Sequence, residues 1–226
     1  MKISVVIPTL NEELSIGETL EKVNSLENIC EIILVDGGSL DKTLEIARKF
    51  GLKTIQTKPG RGLQLDAGAR AAKGDVFWFL HADTLPPKHA GTQILNALRD
   101  KQVVGGNFEI RFQGDSRAAF FLTWLYPKLR LLGLCYGDSA FFVRREFYEK
   151  SGGFPPLPLF EDVEFYQKLK RYGRFVHLKS FVVSSSRRFE KRSFALTFAR
   201  WSLFQGLYWI GVSPEILARY YFPIRK

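Results

Sequence analysis

Apolar residues in the first hundred positions fall into short runs separated by stretches with a helical period. Ile3–Ile7 reads as a strand buried on both faces, Glu13–Ser25 as a helix, Glu31–Val35 as a strand and Asp41–Phe50 as a helix. Lys53–Gln56 then reads as a short strand, Gly62–Ala72 as a helix and Asp75–Leu80 as a strand rich in aromatic and β-branched residues. Strands alternating with helices are the sequence form of βαβ units, and they predict an α/β fold with a mostly parallel sheet. Beyond residue 100 the pattern loosens. Val103–Phe112, Asp138–Arg144 and Arg174–Ser184 read as strands, and Ala118–Leu134 and Glu161–Tyr172 as helices. A long apolar helix is expected over Ser193–Val212, with a short one starting near Ser213-Pro214.

Three of the first-half strands run into polar or glycine-containing clusters: Pro8-Thr9-Leu10-Asn11, Asp36-Gly37-Gly38-Ser39 and His81-Ala82-Asp83. Ligands of open α/β sheets bind outside the carboxyl ends of the strands, so all three clusters are expected to face one crevice. Gly37 and Gly38 free the backbone after Asp36 to approach a ligand closely, although strand-Asp-Gly is also an ordinary tight turn with Ser39 or Asp41 capping the next helix. Gly60-Arg61-Gly62-Leu63-Gln64 opens a small-residue helix, a suitable place for Arg61 to hold a phosphate. The same small residues also serve close packing on the sheet. In extended geometry His81 and Asp83 point the same way, so they can address one Mn²⁺ or Mg²⁺ ion together with phosphate oxygens; a strand-end histidine and a capping aspartate are the alternative. Glu161-Asp162 follows the stiff apolar lead-in Pro155-Pro156-Leu157-Pro158-Leu159-Phe160, which can desolvate a carboxylate and raise its pKa toward that of a general base. Paired acids at a helix start also serve simply as dipole partners.

Charge divides the chain. Residues 1–110 hold 13 Lys+Arg against 14 Asp+Glu, and residues 111–226 hold 20 against 9, so the whole positive excess lies in the second half. Of the 32 aromatic residues, 27 lie there too. The basic residues stand among long apolar stretches with no nucleic-acid-binding module, which turns the reading away from nucleic acid. Ser193–Val212 carries Phe194, Phe198, Trp201, Phe204, Tyr208 and Trp209, while Thr197, Arg200 and Gln205 share a narrow stripe. Its length, about 20 residues, borders on that of a membrane span, but Arg200 and the spread of aromatics favour an interfacial position or burial against Ala118–Leu134. Flanking Arg187, Arg188, Lys191, Arg192, Arg219, Arg225 and Lys226 would each gain roughly 1 kcal/mol near an anionic leaflet. A homodimer interface is the alternative use of the same helix. Pro8 and Asn11-Glu12-Glu13 end the first apolar run before a signal sequence could form, and Cys30 and Cys135 have no disulfide or thiolate-metal spacing. A cytoplasmic protein, peripheral on the inner face of the cell membrane, is expected.

Taken together over residues 3–185, the ordered motifs resemble the family 2 glycosyltransferases, inverting enzymes of the GT-A fold. Ile3-Ser4-Val5-Val6-Ile7-Pro8-Thr9-Leu10-Asn11-Glu12 is similar to the family's opening strand and nucleotide loop, and Val35-Asp36-Gly37-Gly38-Ser39-Leu40-Asp41 to its second. His81-Ala82-Asp83 stands where the family has its metal-binding D-x-D, and Glu161-Asp162 where it has the E-D pair whose Asp is the base. The resemblance implies a GT-A fold with a Rossmann-like central sheet and C-terminal apolar helices. It also implies a nucleotide diphosphate sugar donor, a divalent metal on Asp83 with His81, and transfer to an acceptor hydroxyl. Donor contacts fall to Pro8, Thr9, Asn11, Glu12, Asp36, Gly37, Arg61, Gln64, Ala82, Arg187 and Arg188. Gly37 replaces a frequent second acid, leaving the donor base open, and His81 replaces the first Asp of D-x-D. The chain is read as one domain over 1–226: a donor half at 1–110, an acceptor and catalytic half at 111–192, and aromatic-basic helices at 193–226. A lipid-linked acceptor follows from the membrane reading. The rivals are a non-catalytic nucleotide-sugar-binding module and a sugar nucleotidyltransferase, although the latter's glycine-rich loop after the first strand is missing.

Overall fold

Three apolar runs of the first half, Ile3–Ile7, Glu31–Val35 and Asp75–Leu80, become adjacent strands because each is apolar on both faces and has to be covered on both, whereas the polar and largely exposed Lys53–Gln56 adds an edge strand. The structure, a computed structural model, describes residues 1–114, 116–131, 133–185 and 194–221. Strands β1 (Ile3–Thr9), β2 (Ile29–Asp36), β3 (Lys53–Gln56) and β4 (Val76–Phe79) alternate with helices α1 (Ile16–Asn24), α2 (Thr43–Lys49) and α3 (Arg61–Ala71). The two-residue β5 (Thr84–Leu85), α4 (Ala90–Ala97) and β6 (Val103–Phe112) follow, then α5 (Arg117–Leu131), β7 (Phe142–Arg144) and α6 (Arg145–Lys150). The chain continues through α7 (Glu161–Leu169), β8 (Arg174–Ser184), α8 (Phe194–Trp209) and α9 (Pro214–Tyr220). All eight strands form one sheet in the order β3-β2-β1-β4-β7-β6-β8-β5. Pairings among β1 to β4 are parallel, whereas β7 runs antiparallel to β4 and β6, so the mixed pairing is confined to the second half.

Alternation along β1 divides the core between the two faces of the sheet. Val5 and Ile7 pack with Ile16, Leu20 and Val23 of α1 and Ile94 of α4. Val6, with Ile33 and Val35, packs on the other side with Leu65 and Ala69 of α3 and Phe165 and Leu169 of α7. Each of the buried Val, Leu, Ile and Phe side chains among these contributes roughly 1.5–3 kcal/mol. Gly68 sets how deeply α3 lies, since a Cβ there would stand 2.3 Å from Val6 Cγ1 and 3.0 Å from Val35 Cγ2.

Two expected elements change shape. Helix α1 starts at Ile16 rather than Glu13, because Asn11 takes a left-handed conformation (φ 55°) and the Glu12 carbonyl accepts from the Ser15 and Ile16 N–H groups. The strand expected over Asp138–Arg144 is extended only at Phe142–Arg144, and Gly137–Ser139 forms a tight 3₁₀ turn. Ser139 Oγ donates to the Tyr136 carbonyl at 2.5 Å and accepts from Asn107 Nδ2 at 2.7 Å, while Ala140 is left-handed (φ 56°). Local side-chain bonding there outcompetes a sheet ladder.

Helix α8 lies against α5 through Phe121, whose ring is 5.9 Å from Phe194 and 5.6 Å from Phe198. Tyr208 stacks on Phe160 at 4.4 Å and donates to Glu164. Along α8 Thr197 and Gln205 are buried beside Phe204, whereas Leu196, Leu203 and Trp209 are exposed, as is Ile210 just past the helix end. Arg200 also turns back into the fold and donates to the Tyr220 carbonyl on α9. Among the described residues no helix is long and apolar enough to cross a membrane.

Candidate active site

The carboxyl ends of β1 and β2 are level, with Thr9 opposite Asp36. That register lets Asp36 tie the two loops together. Its Oδ2 accepts from the Gly38 and Ser39 N–H groups at 2.9 and 2.8 Å. Its Oδ1 accepts from Ser39 Oγ at 2.5 Å and Thr9 Oγ1 at 3.2 Å. The loops are joined again where the Asn11 N–H donates to Ser39 Oγ and Asn11 Oδ1 accepts from the Leu40 N–H, each at 2.9 Å. Ser39 thus fastens both loops. Glu12 is buried, and its N–H donates to Thr43 Oγ1 at 2.7 Å.

Gln64 holds this cradle from below. Its Nε2 donates at 2.8 Å to the Thr9 carbonyl and at 2.8 Å to the Val35 carbonyl. The Gln64 amide is therefore spent on positioning the loops, and a Cβ at Gly37 would meet it at 3.2 Å. A glycine at 37 and a carboxamide at 64 fit one another.

The third cluster lies at the end of β4, next to β1. Its backbone is not extended: the Thr84 N–H donates to the His81 carbonyl at 3.2 Å, closing a turn over residues 81–84. The same-face argument for His81 and Asp83, which assumed strand geometry, does not hold in this form. Ala82 is buried, and its carbonyl accepts from Thr19 Oγ1 at 2.8 Å. The Asp83 carbonyl accepts from the Ser185 N–H at 3.1 Å, which anchors the turn on the end of β8. Among the described residues no group of three or more His, Cys, Asp or Glu could hold a metal ion unaided. Asp83, with or without His81, could therefore hold an ion only jointly with other oxygens, such as those of a diphosphate.

Arg61, Glu161 and Asp162 meet across a hundred residues of chain. Arg61 Nε donates to Glu161 Oε1, and Arg61 Nη2 donates to Asp162 Oδ2 at 3.2 Å. Gly62 permits the approach, since a Cβ there would lie 2.8 Å from the Pro155 carbonyl oxygen and 3.3 Å from Glu161 Cβ. Asp162 Oδ2 also accepts from the Gly137 N–H at 2.8 Å, and its Oδ1 from the Val163 N–H at 2.8 Å. Both acids are buried, whereas 39% of the Arg61 side chain remains exposed. Burial raises the Glu161 pKa and Arg61 opposes that rise, while the Asp162 charge adds to it. Burial alone would lower the pKa of Arg61, but Glu161 and Asp162 more than offset this and it is raised. Phe160, just before the acids, is left-handed (φ 62°), a strained conformation for an aromatic residue. Arg187 and Arg188 lie outside the described residues.

Sequence reasoning passed over Gly137-Asp138-Ser139. The turn presents the Gly137 N–H to Asp162, and Asp138 Oδ2 accepts from Tyr126 Oη at 2.8 Å. A short polar cluster between apolar stretches was the available signal. Behind it, His177 Nδ1 lies 2.7 Å from Asn107 Oδ1, so a polar chain running from the buried Asn107 and Ser139 out to the partly exposed His177 supports the turn. Burial, together with Arg130 and Lys170, pushes the His177 pKa down to about 4.

Residues 4–150 match the family described as Glycosyl transferase family 2. The chain belongs to that family. This family 2 member is 27% identical over 210 residues to the probable glycosyltransferase YdaM of Bacillus subtilis, covering 80% of the chain and 49% of the relative. It is 33% identical over 108 residues to the dolichol-phosphate mannosyltransferase of Pyrococcus furiosus, covering 44% of the chain and 31% of that protein. The matched region thus spans half or less of these relatives' length. Among solved structures it resembles the Mycobacterium tuberculosis glucosyl-3-phosphoglycerate synthase in complex with Mn²⁺, uridine-diphosphate-glucose and phosphoglyceric acid. The TM-score is 0.62 at 22% identity, covering 84% of the chain and 74% of that structure. The likeness establishes a shared GT-A fold.

Proposed function

We propose that the chain transfers a sugar from a nucleotide diphosphate donor to an acceptor hydroxyl with inversion. The observation that carries this reading is the buried Glu161-Asp162 pair held against Arg61 beside the β1–β2 cradle. A nucleotide would lie on Pro8, Thr9, Asn11, Glu12, Asp36 and Gly37, with Gln64 holding the two loops in place. Asp162 is the base. Its Oδ2 is already oriented by the Gly137 N–H, and it takes the proton of the attacking hydroxyl. Glu161 keeps Arg61 at the site, and Arg61 turns toward the diphosphate as negative charge gathers there. Asp83, with His81 beside it and Ala82 shaping the turn, would hold Mn²⁺ or Mg²⁺ jointly with the donor. When bound, such an ion supplies Lewis-acid stabilisation of the leaving diphosphate. The Mycobacterium synthase, solved with Mn²⁺ and a uridine diphosphate sugar on the same fold, supports this reading. Arg187 and Arg188 are assigned to the diphosphate on sequence grounds.

The decisive experiment measures donor turnover on a panel of nucleotide diphosphate sugars with and without Mn²⁺. Turnover that needs the ion is expected. Nucleotide binding without turnover on every donor would leave a non-catalytic binding module in its place.

The acceptor side belongs at a membrane surface. The outward apolar face of α8 continues onto α5, where Phe120, Phe121 and Trp124 are exposed beside Arg117 and Lys128. Such a face, rimmed by basic residues, suits the interface of an anionic leaflet on the inner side of a cell membrane, and an acceptor carried by lipid. Flotation with anionic liposomes in the absence of detergent tests this. Failure to float, with a mass of twice the chain in solution, would assign the face to a homodimer.

A further inference from the structure

A cavity of about 320 Å³ opens beside Asp162, between α5, α8 and the segment leading into α7. This is within the range of small-molecule sites. Its walls are hydrocarbon and aromatic, with Leu125 and Leu129 from α5 facing Trp201 and Phe204 from α8. Its polar groups are few: Arg61, Asp162, Asp138, Tyr136, Tyr126, Ser202 and Gln205. Gln205 is 7% exposed, on a helix that also buries Thr197. Its Oε1 accepts from Tyr136 Oη at 2.9 Å, and its Nε2, buried in the cavity wall, has no hydrogen-bond partner among the described residues. An unpaired buried amide is costly and uncommon, and it marks a place where something else brings an acceptor atom. Tyr136 stays a donor to Gln205 because burial, with Asp162 and Asp138 nearby, raises its pKa.

We propose that this cavity is the acceptor site and that it takes an uncharged lipid alcohol, with Gln205 donating to the acceptor hydroxyl oxygen. The proposal rests on the transferase reading above and deepens it. Asp138 and Asp162 outnumber Arg61 among the charged residues that line the cavity, so an acceptor bearing its own phosphate would meet like charge. A neutral hydroxyl meets none and satisfies the Gln205 amide. In the reaction the acceptor O–H bond breaks toward Asp162 while its oxygen bonds to the anomeric carbon. The bond from that carbon to the diphosphate oxygen breaks, and its electron pair leaves with the nucleotide diphosphate. Leucine and tryptophan walls hold the hydrocarbon body and keep water from competing as the nucleophile.

The test measures binding, separately from turnover, on the full chain. Farnesol and farnesyl phosphate are titrated while tryptophan fluorescence is followed, since Trp201 lines the cavity. Farnesol is expected to bind at least about tenfold more tightly than farnesyl phosphate. Gln205→Glu keeps an oxygen for Tyr136 but removes the donor, and it should weaken farnesol by about tenfold while leaving UDP and GDP binding unchanged. Leu125→Ala, a second variant that changes the cavity lining without altering Gln205 and keeps the Trp201 reporter, should weaken farnesol and farnesyl phosphate alike. Equal or tighter binding of farnesyl phosphate, or unchanged farnesol binding by Gln205→Glu, would overturn the proposal. Donor turnover without farnesol binding would do the same and leave the transferase reading standing. Farnesol binding as described with no turnover of any donor would keep the cavity as an alcohol site and remove the transferase reading.

Discussion

Replacing Arg61 by alanine leaves two acids at 1% and 4% exposure without their cation. Breaking a fully buried pair costs about 3–5 kcal/mol, and the 39% exposure of the Arg61 side chain reduces this through solvent screening to about 1–3 kcal/mol. The loss should depend on pH in a definite sense. Arg61 is what opposes the rise of the Glu161 pKa, so without it the folded-state pKa climbs further above the unfolded value. Between those two values the folded protein binds more protons than the unfolded chain, so stability increases as pH falls. Urea denaturation of Arg61→Ala should therefore give a lower midpoint than the parent at pH 7, with part of the gap closing as the pH is lowered and Glu161 takes up its proton. Adding Glu161→Gln to Arg61→Ala should recover part of the stability at pH 7. A variant as stable as the parent at pH 7, with a flat pH profile, would refute the claim that Arg61 compensates buried charge.

Three other outcomes follow from the same geometry. Asp162→Asn keeps a group able to accept from the Gly137 N–H but removes the base, so turnover should fall by about 10²–10⁴ while calorimetric nucleotide binding is preserved; equal loss of both would count against the role. Gly68→Ala places a methyl group 2.3 Å from Val6, and calorimetry should show destabilisation of about 1–3 kcal/mol with impaired donor binding, since α3 carries Arg61 and Gln64. His177 has a folded pKa of about 4, below its ordinary 6.5, so the unfolded chain binds more protons across that window and stability should fall as pH drops through it. His177→Gln should lose that part of the acid sensitivity, and an identical pH profile would reject it.

The first half of the chain was readable because its signals are local. Buried parallel strands are continuous apolar runs, and the polar clusters that end them share a side of the sheet by topology alone. The 81–84 turn was misread because extended geometry was assumed as far as Asp83, whereas β4 ends at Phe79. The two-residue β5 has no periodicity to detect, and it exists because Thr84 and Leu85 find Ser184 and Val183. Arg61 reads as a phosphate ligand from its glycine neighbours, and what was not legible is that Glu161 and Asp162 also hold it, because they lie a hundred residues away and only tertiary packing brings them together. Gln205 read as one member of a polar stripe. In the structure Thr197 and Gln205 of that stripe are buried, a direction that was not legible because the apolar residues of α8 outnumber those it can bury.

Asp36 has a further consequence. Four donors from the loops converge on its two oxygens before any nucleotide arrives. The nucleotide would then meet a surface whose shape is already fixed, and little conformational freedom is left to lose on binding. Asp36→Asn would disturb this in a particular way, by putting an amide donor where the Gly38 and Ser39 N–H groups or the Ser39 and Thr9 hydroxyls now find an acceptor. The loss would register first as entropy, in a cradle that has to be frozen each time it is filled.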